Sequence, residues 1–473
     1  MDMTAGAMTN TDKQLALNCV TAGIKAADPS TVVAERVSLD GTEPVVDDDR
    51  YDLANYRDVI VGGGGNAAGT TASALEDVLG EWVDRGTVVT DNPVETERID
   101  VLPGDHPVPS ERGVKSTQTM LDLAGSAGSD DLVVAVVTGG GSALMPAPTA
   151  GVSLADLQVT TEALLASGAD IGEINAVRKH CSDLKGGQLA DAAAPATVLG
   201  IVLSDVVGNR LDVIASGLLT PDGSTYGDAL DDLDRYEVDV PDPIRTRLRR
   251  GASDEYPETP SMGDPLFENV RQYVLADGNT ALRAAAERAH EAGYEPLILS
   301  SRVRGEAREA AKVLAGIAEE CANTGAPVAP PAVLLSGGET TVTIRGDGTG
   351  GPNQEFVLSA ALELTEPATV ASIDTDGIDG ASEAAGAVAT PETADPEREA
   401  REALRNNDAG GFLKERDALI VTGPTGTNVN DLCAFVIRSA DHRHRAIDST
   451  HIRPASSFPQ SGPCSVITTA SLF

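Results

Sequence analysis

Leu132-Val-Val-Ala-Val-Val-Thr138-Gly-Gly-Gly-Ser142 decides how this chain folds. Six consecutive aliphatic residues show no alternation of apolar and polar positions, so both faces of their strand must be covered, as in a parallel sheet flanked by helices. The glycines that follow end the strand and supply turn conformations that other residues reach only with strain. The same design recurs along the chain. Asp58–Val61 runs into Gly62-Gly-Gly-Gly65-Asn66, Pro195–Leu203 into Ser204–Asn209, Val333–Leu335 into Ser336–Glu355, and Val370–Asp374 into Thr375–Gly380. Five strand ends carrying small, acidic or carboxamide residues predict one shared cleft, because open α/β sheets bind ligands outside the carboxyl ends of their strands.

Outward from these runs, strands alternate with helices predicted at 67–80, 115–127, 154–167, 279–292, 305–324 and 354–364. Further strands are predicted at 87–90, 272–276, 295–300 and 418–421. Leu15, Leu17, Val20 and Ile24 give 12–27 the spacing of an amphipathic helix. With 473 residues the chain exceeds the roughly 250 to 300 at which a single core stops growing. The fold class is therefore α/β in two domains, with the active site in the cleft between them. A larger Rossmann-like parallel-sheet unit is expected over 11–240 and a smaller α/β unit over 271–436. Residues 241–270, rich in proline, aspartate and arginine, read as a linker. The segment 437–473 departs in composition, with four arginines, two aspartates and three of the six histidines, and reads as a disordered tail or as sequence from another reading frame. His442, His444 and His451 within it are assigned no metal.

Acidic residues outnumber basic ones 73 to 35, for a formal charge of −38. Such a surface repels nucleic acid and anionic membranes. Carboxylates this dense on a folding-competent composition suggest a halophilic protein, whose self-repulsion salt screens. Stability is then expected to rise into molar salt, and equal stability in dilute buffer would refute it. Five scattered cysteines show no CxxC or metal spacing, which fits a reduced, cytoplasmic setting. No apolar run reaches the ~18 residues of a membrane span. A homo-oligomer is left open.

The glycine turn at Gly62, Gly63, Gly64 and Gly65 opens a helix and can offer N–H groups to an anion. It lacks the Lys-Ser/Thr of a P-loop, having Thr70-Thr71 there. As a dinucleotide fingerprint it is weak, because Asp91 lies further along than the usual ~20 residues. Arg178 and Lys185, in a chain with seven lysines, are seven residues apart and are expected on one helix face, where they suit an anionic ligand. Asp205 and Asp376 end buried strands, where a carboxylate can hold Mg²⁺ or accept a hydroxyl proton. Asp379 is as readily a structural turn residue.

Taken together, Asn175–Gly187, Ser204–Gly208, Ile214–Gly217, Ser336–Glu339, Gly350–Glu355, Thr375–Gly380 and Gly423–Asp431 resemble the glycerate 2-kinase family with a C-terminal MOFRL domain, over roughly Thr11–Phe435. The resemblance implies an enzyme that uses ATP and Mg²⁺ to phosphorylate the 2-hydroxyl of D-glycerate. It assigns Asp376 to orient the hydroxyl and Arg178 and Lys185 to hold carboxylate or phosphate. Asp205 and Glu339 are assigned to metal. Gly62–Gly65, Gly139, Gly140, Ser142, Asn353 and Glu355 are assigned to nucleotide. Three positions depart from the family pattern: Asn66 stands where a lysine is usual, Pro352 where an arginine is usual, and Asn209 where an aspartate is usual. Removing one preorganised charge costs ~100- to 1,000-fold in rate. Two other readings therefore stay open: a kinase-like binding or regulatory protein without turnover, and a nicotinamide-dependent hydroxypyruvate reductase.

Overall fold

A computed structural model describes residues 11–47 and 49–438. The expected tail, apart from its first two residues, lies outside the described residues. A small antiparallel sheet comes first, from β1 (Val37–Asp40), β2 (Glu43–Val46) and β3 (Asp49–Arg50). Six strands then form a wholly parallel sheet: β4 (Val59–Gly64), β5 (Arg85–Thr90), β6 (Ile99–Pro103), β7 (Leu132–Val137), β8 (Thr197–Leu203) and β9 (Val270–Ala276). Every residue of β7 is buried, as its unbroken aliphatic run requires. Each such side chain contributes on the order of 1.5–3 kcal/mol by leaving water.

The spatial order β6-β5-β4-β7-β8-β9 reverses direction between β4 and β7. Connections from these two strands leave to opposite sides, which opens a crevice at their carboxyl ends. The two glycine turns meet there.

A second sheet contains β10 (Glu295–Glu306), β11 (Ala332–Thr341), β12 (Ala368–Asp374), β13 (Gly386–Ala389), β14 (Leu419–Ile420) and β15 (Asp431–Ile437), ordered β10-β11-β15-β12-β13-β14. Only β10 and β11 run parallel, and β15, the last strand made, is antiparallel to both of its neighbours. The expected second α/β unit is thus mixed rather than built from βαβ repeats. Its strands are as apolar as parallel ones because helices such as Ala307–Thr324 and Pro352–Glu363 cover them.

Three placements differ from expectation. β9, expected beyond a domain boundary, is the edge strand of the first sheet. The segment 241–270 contains a helix, Asp242–Gly251, whose Ile244 and Leu248 are buried in a satellite core with Tyr226 and Leu233. Its four arginines mask a two-residue apolar stripe. The helix Thr11–Ala26 packs on the second sheet and on the helix Gly278–Glu291. A single apolar cluster joins Leu75, Val134 and Leu199 with Leu282, Val333 and Val436, so both sheets belong to one compact unit. Cys19, Cys181, Cys321 and Cys433 are buried free thiols. No described helix is long and apolar enough to cross a membrane.

Candidate active site

The two glycine turns at the crevice use their backbones differently. Gly62, Gly63 and Gly64 are strand residues of β4, paired with Ala135, Val136 and Val137. Gly63 has φ +108°, and a Cβ there would overlap the Val136 carbonyl. Beyond the strand, the Gly65 N–H donates to Val89 O (3.0 Å) and the Asn66 N–H to Gly139 O (2.8 Å). Ala67 N–H donates to Thr138 Oγ1 (3.2 Å). The expected anion contacts from Gly62–Gly65 are therefore corrected: these donors are spent holding β4, β5 and β7 together. Asn66 reaches across the crevice to donate to Asp91 Oδ2 (2.8 Å).

The β7 turn is the opposite case. The N–H groups of Gly139, Gly140, Gly141 and Ser142 have no protein acceptor among the described residues. Gly140 has φ +74°, and a Cβ on it would overlap Asn66 Oδ1, while one on Gly139 would overlap the Asp205 carboxylate. Consecutive free N–H groups on a glycine turn form an anion-binding concavity. Ser142 Oγ lies 2.6 Å from Ser216 Oγ, which donates to Asn175 Oδ1 (3.0 Å).

Asp205, just past the end of β8, is held by its carbonyl, which accepts from Asn430 Nδ2. Burial pushes its carboxyl up to about 6, and Glu339 from the second sheet adds repulsion. Burial also raises Glu339. Among the described residues no group of three His, Cys, Asp or Glu is arranged to hold a metal. Two carboxylates from facing sheets nonetheless suit Mg²⁺, which usually takes one or two carboxylates and completes its shell with water and substrate phosphate.

Arg178 and Lys185 do come together, but not on one helix face. The helix Ile171–His180 ends before Lys185, capped by Cys181. Ser182 Oγ accepts the Leu184 N–H (3.2 Å), and Gly186 and Gly187 take positive φ, so the chain doubles back. Lys185 Nζ donates to Met145 O (3.1 Å), just past the free N–H turn. Burial, and secondarily Arg178, lowers Lys185 to about 7. Burial lowers Arg178 as well. Neither has a carboxylate partner among the described residues, whereas the neighbouring Lys179 is paired with Asp222 at 3.0 Å. Two facing, poorly solvated cations without counter-charge are destabilising unless an anion joins them.

Across the crevice, Asp376 lies just beyond the end of β12 and Asp374 is its last residue. The Asp376 N–H donates to Asp374 Oδ1 (3.0 Å), and Asp376 Oδ1 accepts the Ile378 N–H (2.7 Å). Burial, with Asp376 close by, pushes the Asp374 carboxyl up. Asp376 lines a cavity of about 630 Å³ together with Asn66, Asp91, His106, Thr138 and Gly139. Arg178 and Lys185 do not line it; Lys185 Nζ is held at Met145 O, six residues past Gly139.

Glu355 and Asn353 are committed elsewhere, and their expected nucleotide role is corrected. Glu355 is buried, 3.0 Å from Arg308 Nη2, and accepts from Asn407 Nδ2 (2.7 Å). Asn353 is buried and donates to Asp431 Oδ1 (2.7 Å), while its Oδ1 accepts from Ser372 (2.5 Å). Asp379 accepts the N–H groups of Asn353 (3.0 Å) and Gln354 (2.9 Å), so it caps the helix Pro352–Glu363. A helix start after a glycine turn needs that cap. Sequence reasoning missed Asp374 and Asn430. The Asp374-Thr-Asp376 spacing was a signal, since residues i and i+2 of a strand share a face.

Residues 15–249 match the family described as Domain of unknown function (DUF4147), and 332–431 match the MOFRL family. The chain is 37% identical over 437 residues to the Glycerate 2-kinase of Pyrococcus horikoshii, covering 90% of this chain and 98% of that one. It is 39% identical to the D-glycerate 2-kinase of Thermotoga maritima, with the same shares covered. A protein of Agrobacterium vitis called Putative hydroxypyruvate reductase is 42% identical over 80% of this chain and 87% of its own length. Among solved structures, the Thermotoga maritima glycerate kinase superposes with a TM-score of 0.79 at 37% identity, covering 90% of this chain and 99% of that one. Identity at this level over nearly the whole length, together with the MOFRL match at 332–431, makes this chain a member of the glycerate 2-kinase family with a C-terminal MOFRL domain.

Proposed function

We propose that this kinase transfers the γ-phosphoryl group of ATP to the 2-hydroxyl of D-glycerate, giving 2-phosphoglycerate and ADP. The observation that carries the reading is the row of free N–H groups at Gly139–Ser142, which begins at Gly139, beside the Asp205 carboxylate, and Gly139 lines the same cavity as Asp376. Phosphoryl transfer asks a protein mainly for positioning and charge stabilisation, and these groups supply both.

The Gly139–Ser142 turn binds phosphate oxygens through its backbone. Asp205 and Glu339 would hold Mg²⁺, which neutralises charge on the nucleotide when bound. Arg178 and Lys185 attract an anionic group of the substrates. Asp376 accepts the proton of the glycerate hydroxyl as its oxygen bonds to the γ-phosphorus and the bond to the ADP oxygen breaks. Asp374, whose Oδ1 accepts the Asp376 N–H, holds that residue in place.

A reading without turnover has one observation in its favour: Asn66, uncharged, is tied to Asp91 in the cavity. A dinucleotide-dependent reductase has the name of the Agrobacterium vitis relative in its favour, but the N–H groups after β4 that would hold a dinucleotide are already used. The test is the purified chain in molar KCl with ATP, Mg²⁺ and D-glycerate, following 2-phosphoglycerate, beside a run with NADH and hydroxypyruvate. Product in the first run and none in the second is expected. Nucleotide or glycerate binding without product in either run would replace the kinase reading with the binding one. Asp376→Asn should lower kcat far more than it weakens substrate binding, and an unchanged rate removes it from the mechanism.

A further inference from the structure

A smaller cavity of about 260 Å³ flanks the same strand ends. Leu203 and Asn428 line the larger cavity, and Ser204 and Val429, their successors in the chain, line the smaller one. Asp205 joins the two, with its carboxylate against Gly139 and its carbonyl held by Asn430. Among all the residues lining both cavities there is one lysine or arginine, Arg302.

Arg302 comes from β10 where its pairing with β11 slips between Ser300 and Val303. A bulge leaves a residue out of the ladder and re-aims its side chain, commonly beside an active site. Here the guanidinium turns toward Gly208, whose Cβ, if it had one, would stand 3.2 Å from Arg302 Nη1. Asp277, in the same cavity, is occupied by Asn209 Nδ2 (2.6 Å) and by the start of the helix Gly278–Glu291. The guanidinium itself has no ion-pair or hydrogen-bond partner among the described residues, while the Arg302 backbone N–H donates to Ser300 Oγ (2.9 Å). Many arginines of this acidic chain are paired, as Arg210 is with Asp212 and Arg308 with Glu355.

We infer that Arg302 is a phosphate-binding residue of the cleft, closing on the polyphosphate of the nucleotide from the second sheet while the Gly139–Ser142 turn holds it from the first. The inference rests on the kinase reading for its ligand. An arginine fork matches phosphate oxygens in pairs, and a cavity otherwise lined by neutral and acidic groups needs such a charge to admit a polyanion.

The test uses the full chain in the salt at which it is folded, with ATP and inorganic tripolyphosphate as probes. Arg302→Ala should weaken ATP and tripolyphosphate binding by calorimetry tenfold or more and raise the KM for ATP similarly. The KM for D-glycerate should stay within twofold, and the melting temperature should be unchanged because the guanidinium has no hydrogen-bond or ion-pair partner among the described residues. Arg302→Lys should recover part of the loss. If the wild type binds ATP without turning over, the kinase reading falls, and weakened binding in Arg302→Ala still upholds the inference. Equal ATP and tripolyphosphate affinity in wild type and Arg302→Ala, or no binding by the wild type, overturns it.

Discussion

The turn at Gly139–Ser142 and the turn at Gly350–Glu355 read alike in sequence, with glycines followed by polar residues at the start of a helix, yet they do opposite things. The first leaves its N–H groups unanswered. At the second, Asp379 takes the N–H groups of Asn353 and Gln354, and the side chains of Asn353 and Glu355 are buried in bonds to Asp431, Ser372, Arg308 and Asn407. A glycine-rich turn becomes an anion site only where the fold supplies no internal acceptor for its donors, and composition does not record that.

The contrast can be broken at several points. The largest effect is expected from Asp205→Asn: kcat should fall ~100- to 1,000-fold, the scale for losing one preorganised charged group. The same change should raise the melting temperature at neutral pH. Asp205 has a folded value of about 6 against an ordinary 3.8, so its contribution to stability is present below about 3.8 and is lost as pH rises through 6. A rate within a few-fold of wild type would remove the first-sheet turn from the chemistry. Next, Gly140→Ala places a side chain at φ +74° and on top of Asn66. Activity should drop at least tenfold while circular dichroism stays native, because the left-handed conformation costs only ~1–2 kcal/mol; full activity would mean the turn binds nothing.

At the other turn, Glu355→Ala should destabilise by ~3 kcal/mol, the scale for breaking a buried ion pair, read by chemical denaturation. The KM for ATP of the protein that remains folded should change less than twofold. A large change in KM with unaltered stability would return Glu355 to the nucleotide site. The smallest effect is in pH. The kcat/KM profile should rise as Asp205 ionises near 6 and fall as Lys185 loses its proton near 7, about tenfold per unit on either limb. Lys185→Met should remove the alkaline limb; a limb that persists belongs to another group.

Much of the first sheet was legible because a run such as Leu132–Val137 has one solution, a strand covered on both faces. The error at β4 was one of length. Gly62–Gly64 look like a turn, and only the close approach of the Val136 backbone explains why a strand would use them. The second sheet was legible as strands and helices but not as a mixed sheet, since buried strands are equally apolar in either direction and the β15 partners lie about a hundred or fewer residues upstream. Asp205 and Asp376 were expected just past strand ends and lie there, whereas Glu339 came from the resemblance and lies within β11. Asn353 and Glu355 were misplaced because a motif names residue types without saying which way they face. Arg302 carried no signal, being one arginine in a strand whose bulge depends on pairing.

The helix Thr11–Ala26 is among the first structure to be synthesised, yet it packs on β12 and β15, and a Cβ at Gly23 would collide with Leu432 of that last strand. At ~5–20 residues per second on the ribosome, its apolar stripe of Leu15, Val20 and Ile24 precedes β15 by roughly 20–80 s. The helix Gly278–Glu291 can cover part of that stripe earlier, but the face that meets β15 stays open until a strand about 400 residues downstream is made.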